Sequence, residues 1–251
     1  MEIIQKGNGN RKALLNRKAS LNRKALPKKK VYYYVKFSFT ITYILLLTTA
    51  TILIIEAIRT PNPVVRHVLN LETCISIIAG YFYSVFVQQI NDSEKKGEKY
   101  DWGQISQTRY VDWSITTPLM LLTLCIVLGN NIKKTVPIGF FLLIVLLNYL
   151  MLFIGYLGET QEINRLWASI LGFVPFFGMF YLIFSRFLLP RYRFDNYILF
   201  SVYVGIWSMY GVVYLLEEEG KNIAMNILDL ISKCGVGLGL WAYYVKIFST
   251  T

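Results

Sequence analysis

Histidine and cysteine are scarce in this chain: one histidine, His67, and three cysteines in 251 residues. Cys74, Cys125 and Cys234 are odd in number, widely spaced and far from any partner histidine, so they outline neither a disulfide framework nor a zinc site. All three sit in apolar segments and are expected as small buried hydrophobes. Acids are also few, 15 against 26 Lys and Arg, for a net charge of +11. Such an excess suggests nucleic acid until it is located. Residues 1–30 hold ten Lys and Arg and one acid, Glu2, a charge of +9, and the rest of the chain carries only +2. No nucleic-acid partner is expected. No short apolar core with a small-residue cleavage site follows the first basic residues, so no cleavable signal peptide is expected either. Beyond residue 30 long polar stretches are missing. With 55% hydrophobic residues overall, an ordinary soluble domain is excluded.

What is present divides into a basic tail, 1–30, and a membrane domain, 31–251. The tail repeats Asn10-Arg11-Lys12-Ala13 at Asn16 and again at Asn22, with leucines between, before Pro27 and three lysines. It reads as a disordered basic segment, or as one lying on an anionic lipid surface. Hydropathy then predicts seven spans near the ~20 residues a bilayer requires, at about 31–58, 64–90, 104–128, 134–157, 163–188, 195–216 and 222–248. The fold class is therefore an all-α, seven-helix transmembrane bundle. Arg59, Arg66, Lys133, Lys134, Arg186, Arg191 and Arg193 fall at odd connectors, and Lys246 follows the last span. Even connectors hold Glu159, Glu162 and Glu217 to Glu219. The positive-inside rule puts the odd connectors and C-terminus in the cytoplasm and the N-terminus outside. The basic tail then stands on the disfavoured side, and three concordant loops outweigh it.

Charges inside the spans are few and costly, and therefore point to function. Lys233 lies midway along the seventh span, with Asp229 four residues earlier on the same face. A structural ion pair is one reading of the two. The other is a lysine converted by an aldehyde to a Schiff base, with carboxylates as counter-ions. In the third span Arg109, Asp112, Thr116 and Thr123 are spaced by three, four and seven, so they share one helical face. A row of cation, anion and hydroxyls inside a bilayer is a proton or ion path, because packing alone would use Leu and Ala.

The run Arg109-Tyr110-Val111-Asp112-Trp113, followed by Thr116-Thr117-Pro118-Leu119, resembles the third helix of the microbial rhodopsins. Leu228-Asp229 with Lys233 resembles their seventh helix, and Trp207-Ser208 with Tyr210 their sixth. The resemblance covers nearly all of the chain after residue 30. It implies a bundle enclosing a retinal pocket, with all-trans retinal as a Schiff base on Lys233. Asp112 is then the primary counter-ion and proton acceptor, Asp229 the second counter-ion, and Arg109 the mobile cation between that pair and the exit. Tyr110, Trp113, Thr117, Met120, Met151, Gly155, Trp207 and Tyr210 match positions lining the retinal, and Asn148 lies in the same fourth-span segment.

Transport mode is less constrained. Outward proton pumps of the family carry an acid where this chain has Thr123, eleven residues or about 16 Å of helix from Asp112. Their outer release glutamate corresponds to Lys221, and Glu217 to Glu219 read as a solvated loop. A family proline in the sixth span is replaced by Gly211. Glu72, deep in the second span, resembles the pore carboxylates of light-gated cation channels, and acids attract cations. The expectation is a photoreceptor that moves protons or monovalent cations, first as a light-gated cation channel. A slow outward proton pump is the close alternative, and a sensory rhodopsin the third. The compact, Asn- and Lys-rich chain looks like the viral branch of the family, expected as a homo-oligomer in the lipid bilayer and not as an enzyme.

Overall fold

The computed structural model describes residues 32–245; the basic repeat of the tail and Lys246 lie outside the described residues. Seven helices follow one another: α1 (Tyr32–Arg59), α2 (Pro63–Lys96), α3 (Trp102–Asn131), α4 (Ile138–Glu159), α5 (Arg165–Phe187), α6 (Phe194–Val213) and α7 (Glu218–Val245). Each is long and apolar enough to cross a membrane, since even the 20 residues of α6 reach about 30 Å. No strand occurs among the described residues. The chain is an integral, multi-pass membrane protein. Below, the bundle end holding Tyr32 is the N-end and that holding Val245 the C-end.

Local chemistry explains where the helices begin and stop. Asn62 Oδ1 accepts from the amides of Val64 and Val65 (3.0 and 3.4 Å), with Pro63 at the first position of α2. Asp101 caps α3 through Gln104 N (3.0 Å), and Asn164 caps α5 through Leu166 N (2.9 Å). The second helix runs past the expected end near residue 90 to Lys96, because polar residues continue it beyond the apolar layer. Gly97, at φ 69°, then stops it in the left-handed conformation. The seventh begins at Glu218 rather than 222, its acidic first turn matched to the helix dipole.

Two features depart from a regular α-helical reading. Residues Leu230–Gly235 of α7 form a π-helical turn that contains Lys233, a wide turn of the kind found at functional sites. Cys74, expected inside, is exposed on the bundle surface, whereas Cys125 and Cys234 are buried. The inward face of α2 carries Leu69, Glu72, Thr73 and Ser76. Cys74 lies about 200° around the helix from Glu72, so its apolar thiol faces outward.

The main core joins Leu121, Leu124 and Leu128 of α3 to Ile183 and Phe187 of α5 and Tyr203 and Trp207 of α6. A second cluster packs Val35, Phe39, Tyr83, Phe86 and Ile105 at the N-end. Large apolar residues such as Ile138, Leu142, Leu146 and Phe153 of α4 point away from the bundle, the arrangement a lipid solvent requires.

Candidate functional site

Between α3 and α7 lies a buried ionic centre. Lys233 Nζ is 3.0 Å from Asp112 Oδ2 and 3.2 Å from Asp229 Oδ2, all three residues being at most 1% exposed. The two carboxylates are held differently. Thr116 Oγ1 donates toward Asp112 Oδ1 at 3.3 Å and to the Asp112 carbonyl at 2.9 Å. Asp229 receives Tyr210 Oη on Oδ1 at 2.6 Å and Tyr83 Oη on Oδ2 at 2.8 Å. Two phenol donors stabilise negative charge on Asp229 more firmly than one long threonine contact does on Asp112.

On the N-end side Arg109 closes this centre. It stands 3.8 Å from Asp229 Oδ2 and makes its shorter contacts to neutral groups: Nη2 donates to Asn226 Oδ1 (2.9 Å) and Asn222 Oδ1 (3.1 Å). Phe39 and Phe86 lie 5.5 and 5.1 Å from the guanidinium carbon, within cation–π reach. Asn226 is fixed in turn by its donation to Ser38 Oγ (2.9 Å). The shared face of Arg109, Asp112, Thr116 and Thr123 turns wholly inward, none more than 2% exposed.

A cavity opens from Lys233 between α3, α4, α5 and α6. It holds about 810 Å³ not taken by atoms, part of it open to the outside. Tyr110, Trp113, Thr117, Met120, Met151, Gly155, Trp207 and Tyr210 line it with Lys233. Trp113 meets Tyr210 edge-on at 5.3 Å, and Trp207 meets Phe180 at 5.9 Å. Thr117 Oγ1 accepts from Asn148 Nδ2 at 2.8 Å, tying α3 to α4. Two glycines keep the walls close: a Cβ on Gly155 would stand 2.6 Å from Tyr110 Oη, and one on Gly211 2.6 Å from Phe173 Cζ. Gly211 thus acts by making room for a ring. Ser169, Gly172, Phe173 and Phe176 of α5 also line the cavity, as does Ser232; none stood out in the sequence.

At the N-end the structure corrects one expectation. Glu218 is not part of a solvated loop: it accepts from Arg165 Nη2 at 2.7 Å and pairs with Lys221 Nζ at 3.0 Å. Lys221, 1% exposed, also donates to both oxygens of Glu159, at 2.8 and 3.0 Å. Ser106 Oγ donates to Glu159 Oε2 at 2.9 Å. Just past α6, Tyr214 donates to the Gly155 carbonyl at 2.8 Å. Burial, then the nearby Glu159 charge, raises its pKa above the ordinary phenol value.

Glu72 lies toward the C-end, 1% exposed, with its carboxyl facing Thr123. Glu72 Oε1, Ser76 Oγ and Thr123 Oγ1 are buried and have no hydrogen-bond partner among the described residues.

A buried lysine between two carboxylates, opening into an aromatic cavity in a seven-helix bundle, coincides with what comparison with known proteins finds. Residues 34–247 match the family model described as bacteriorhodopsin-like protein. The chain belongs to this family. It is 29% identical over 146 residues to bacteriorhodopsin of Halobacterium salinarum, covering 52% of this chain and 53% of that protein. It is 27% identical over 146 residues to sensory rhodopsin-2 of Haloarcula vallismortis, covering 52% and 59%. The chain thus spans rather more than half the length of these two relatives. Among solved structures, viral rhodopsin OLPVRII is 42% identical, covers 86% of this chain and 99% of its own, and superposes with a TM-score of 0.78. The blue light-absorbing proteorhodopsin from Med12, at 22% identity with coverages of 86% and 100% and a TM-score of 0.68, shares the fold.

Bacteriorhodopsin-like proteins bind retinal through a Schiff-base lysine. The residues here fit that group: a buried amine at one end of the cavity, largely apolar and aromatic walls, and glycines where a side chain would intrude.

Proposed function

We propose that this protein moves protons outward across the membrane in response to light. The observation that carries this reading is the placement of acids on either side of Lys233. Asp112 and Asp229 lie within 3.2 Å of its nitrogen, and Glu72 is buried on the C-end side. When bound, retinal supplies light absorption and a change of shape at the Lys233 nitrogen. Asp112, the less firmly held carboxylate, accepts the proton that leaves this nitrogen. Asp229, fixed by two phenol donors, remains the ionised partner of Arg109. Glu72 returns a proton from the C-end, taking the role that Thr123 cannot fill. That assignment of Glu72 departs from the pore-carboxylate reading, because a lone buried acid holds a proton more readily than it strips water from a metal cation.

The N-end half favours protons over other cations for an electrostatic reason. Arg109, 2% exposed and with its shorter contacts to the neutral Asn222 and Asn226, places a positive charge across the route, whereas Lys221 is balanced by Glu159 and Glu218. A passing cation is repelled there, whereas a proton can be relayed through hydroxyls, amides and water. The light-gated cation channel is the second reading. It is favoured by the partnerless hydroxyls of Ser76 and Thr123 beside Glu72, which a hydrated ion would satisfy.

The N-end faces outward in this proposal. Seven Lys and Arg flank the connectors of the C-end, from Arg59 to Arg193, against five at those of the N-end: Lys95, Lys96, Lys99, Arg165 and Lys221. A homo-oligomer in the bilayer belongs to the same proposal. Photocurrent recorded while voltage is swept through zero tests the transport mode. An outward current that keeps its sign is expected; a current that reverses at the equilibrium potential of an added cation replaces the pump with the channel.

A further inference from the structure

We propose that protons reach Glu72 from the C-end along one face of α7, where Tyr244 and Trp241 position the water that carries them and Gly237 keeps the passage open. This rests on the reading of Glu72 as the carboxyl that returns the proton.

Gly237, Trp241 and Tyr244 fall at i, i+4 and i+7 of the regular helix Val236–Val245, so they share a face. Glu72 lies directly against the start of that face. A Cβ on Gly237 would stand 3.2 Å from Glu72 Oε2 and 3.1 Å from Leu53 Cδ1. Trp241 and Tyr244 continue the line toward the C-end, packed against Leu53, Ala57, Val65 and Leu69 of α1 and α2. Trp241 Nε1 and Tyr244 Oη are screened from solvent, and neither has a hydrogen-bond partner among the described residues. With Glu72 Oε1, three partnerless polar atoms follow one another along a single seam. Ordered water is the usual partner of such groups.

The competing route, between α3 and α6, is closed by satisfied contacts. Asn131 Nδ2 donates to Asn196 Oδ1 (2.8 Å), and Asn196 Nδ2 to the Leu128 carbonyl (3.1 Å). Leu124 and Leu128 complete an apolar wall with Ile183 and Phe187.

The side chains along the seam suit separate tasks. An indole N–H only donates, so Trp241 anchors a water oxygen and cannot relay a proton; the Tyr244 hydroxyl both accepts and donates. In the uptake step a hydronium at the C-end loses a proton, one O–H bond breaking there and one forming on Glu72. No electrons change hands.

The test uses the full-length, retinal-loaded protein in vesicles, with Trp241→Phe, Tyr244→Phe and both together, which keep an aromatic ring at each position and remove the polar atoms. Flash-induced proton uptake at the C-end is followed with a pH-indicator dye, beside the rate of the earlier Asp112 step and the visible maximum. The double variant is expected to slow uptake about tenfold, as loss of hydrogen bonds to one water file allows, and to leave the Asp112 step and the maximum unchanged. Gly237→Ala, which presses on Glu72 without touching Trp241 or Tyr244, is expected to slow the same step. Glu72→Gln separates the two claims. If it slows uptake while the double variant does not, the route is wrong and the role of Glu72 stands. If Glu72→Gln leaves uptake unchanged, the role of Glu72 fails and the route fails with it.

Discussion

Replacing Glu159 by glutamine isolates the ion cluster at the N-end. Each member of the central pair is poorly placed for its own helix: Glu159 is the last residue of α4 and Lys221 lies in the opening turns of α7. Helix dipoles disfavour a carboxylate at the first position and a cation at the second. Their contacts with each other therefore account for both. Side-chain exposure is 2% for Lys221, 6% for Glu159 and 26% for Glu218. Removing one partner of a buried pair costs about 3–5 kcal/mol. Glu218, still 3.0 Å from Lys221, reduces this to about 2–3 kcal/mol by the same reasoning. At about 2–4 °C per kcal/mol for a chain of this size, the melting temperature should fall by roughly 5–10 °C. Lys221→Met should cost less, about 1–2 kcal/mol, because Glu159 keeps Ser106 at 2.9 Å and Arg165 at 3.5 Å. The double variant, with both charges gone, should be more stable than Glu159→Gln alone. The assay is thermal loss of the visible band in detergent for all four proteins. Single effects that simply add, with coupling under about 0.5 kcal/mol, would refute the paired-charge argument.

Other expectations concern the centre and its cavity. Lys233→Ala should give no visible band when all-trans retinal is added; a coloured, light-responsive variant would overturn the assignment of the amine. Asp112→Asn should keep a pigment and lose light-driven proton release, measured in vesicles, because the acceptor nearest Lys233 Nζ at 3.0 Å can no longer take a proton. Gly155→Ala, whose methyl would meet Tyr110 Oη at 2.6 Å, should slow pigment formation several-fold, and adding Tyr110→Phe should restore much of the rate if that contact is the cause. Thr123→Asp, placing an acid beside Glu72, should speed proton return to the Lys233 nitrogen, read as recovery of the visible band after a flash.

Seven spans, the amine of Lys233 and the inward row Arg109, Asp112, Thr116 and Thr123 were legible in the residues alone. A bilayer forbids charge and open backbone so strongly that one-dimensional spacing carries the information. Other features depend on which helices become neighbours. Glu159 and Lys221 are 62 residues apart; until α4 and α7 met, the first looked like an ordinary connector charge and the second only like the replacement of a release glutamate. Asn222 and Asn226 hold Arg109, although asparagines carry no charge to mark them. Ser169, Gly172 and Phe173 became walls of the cavity because α5 turns that face inward, and Cys74 faces outward because Glu72 faces in. Hydropathy and helical period report how one helix meets its solvent. The partner of each buried polar group is chosen by packing between helices, which no local spacing encodes.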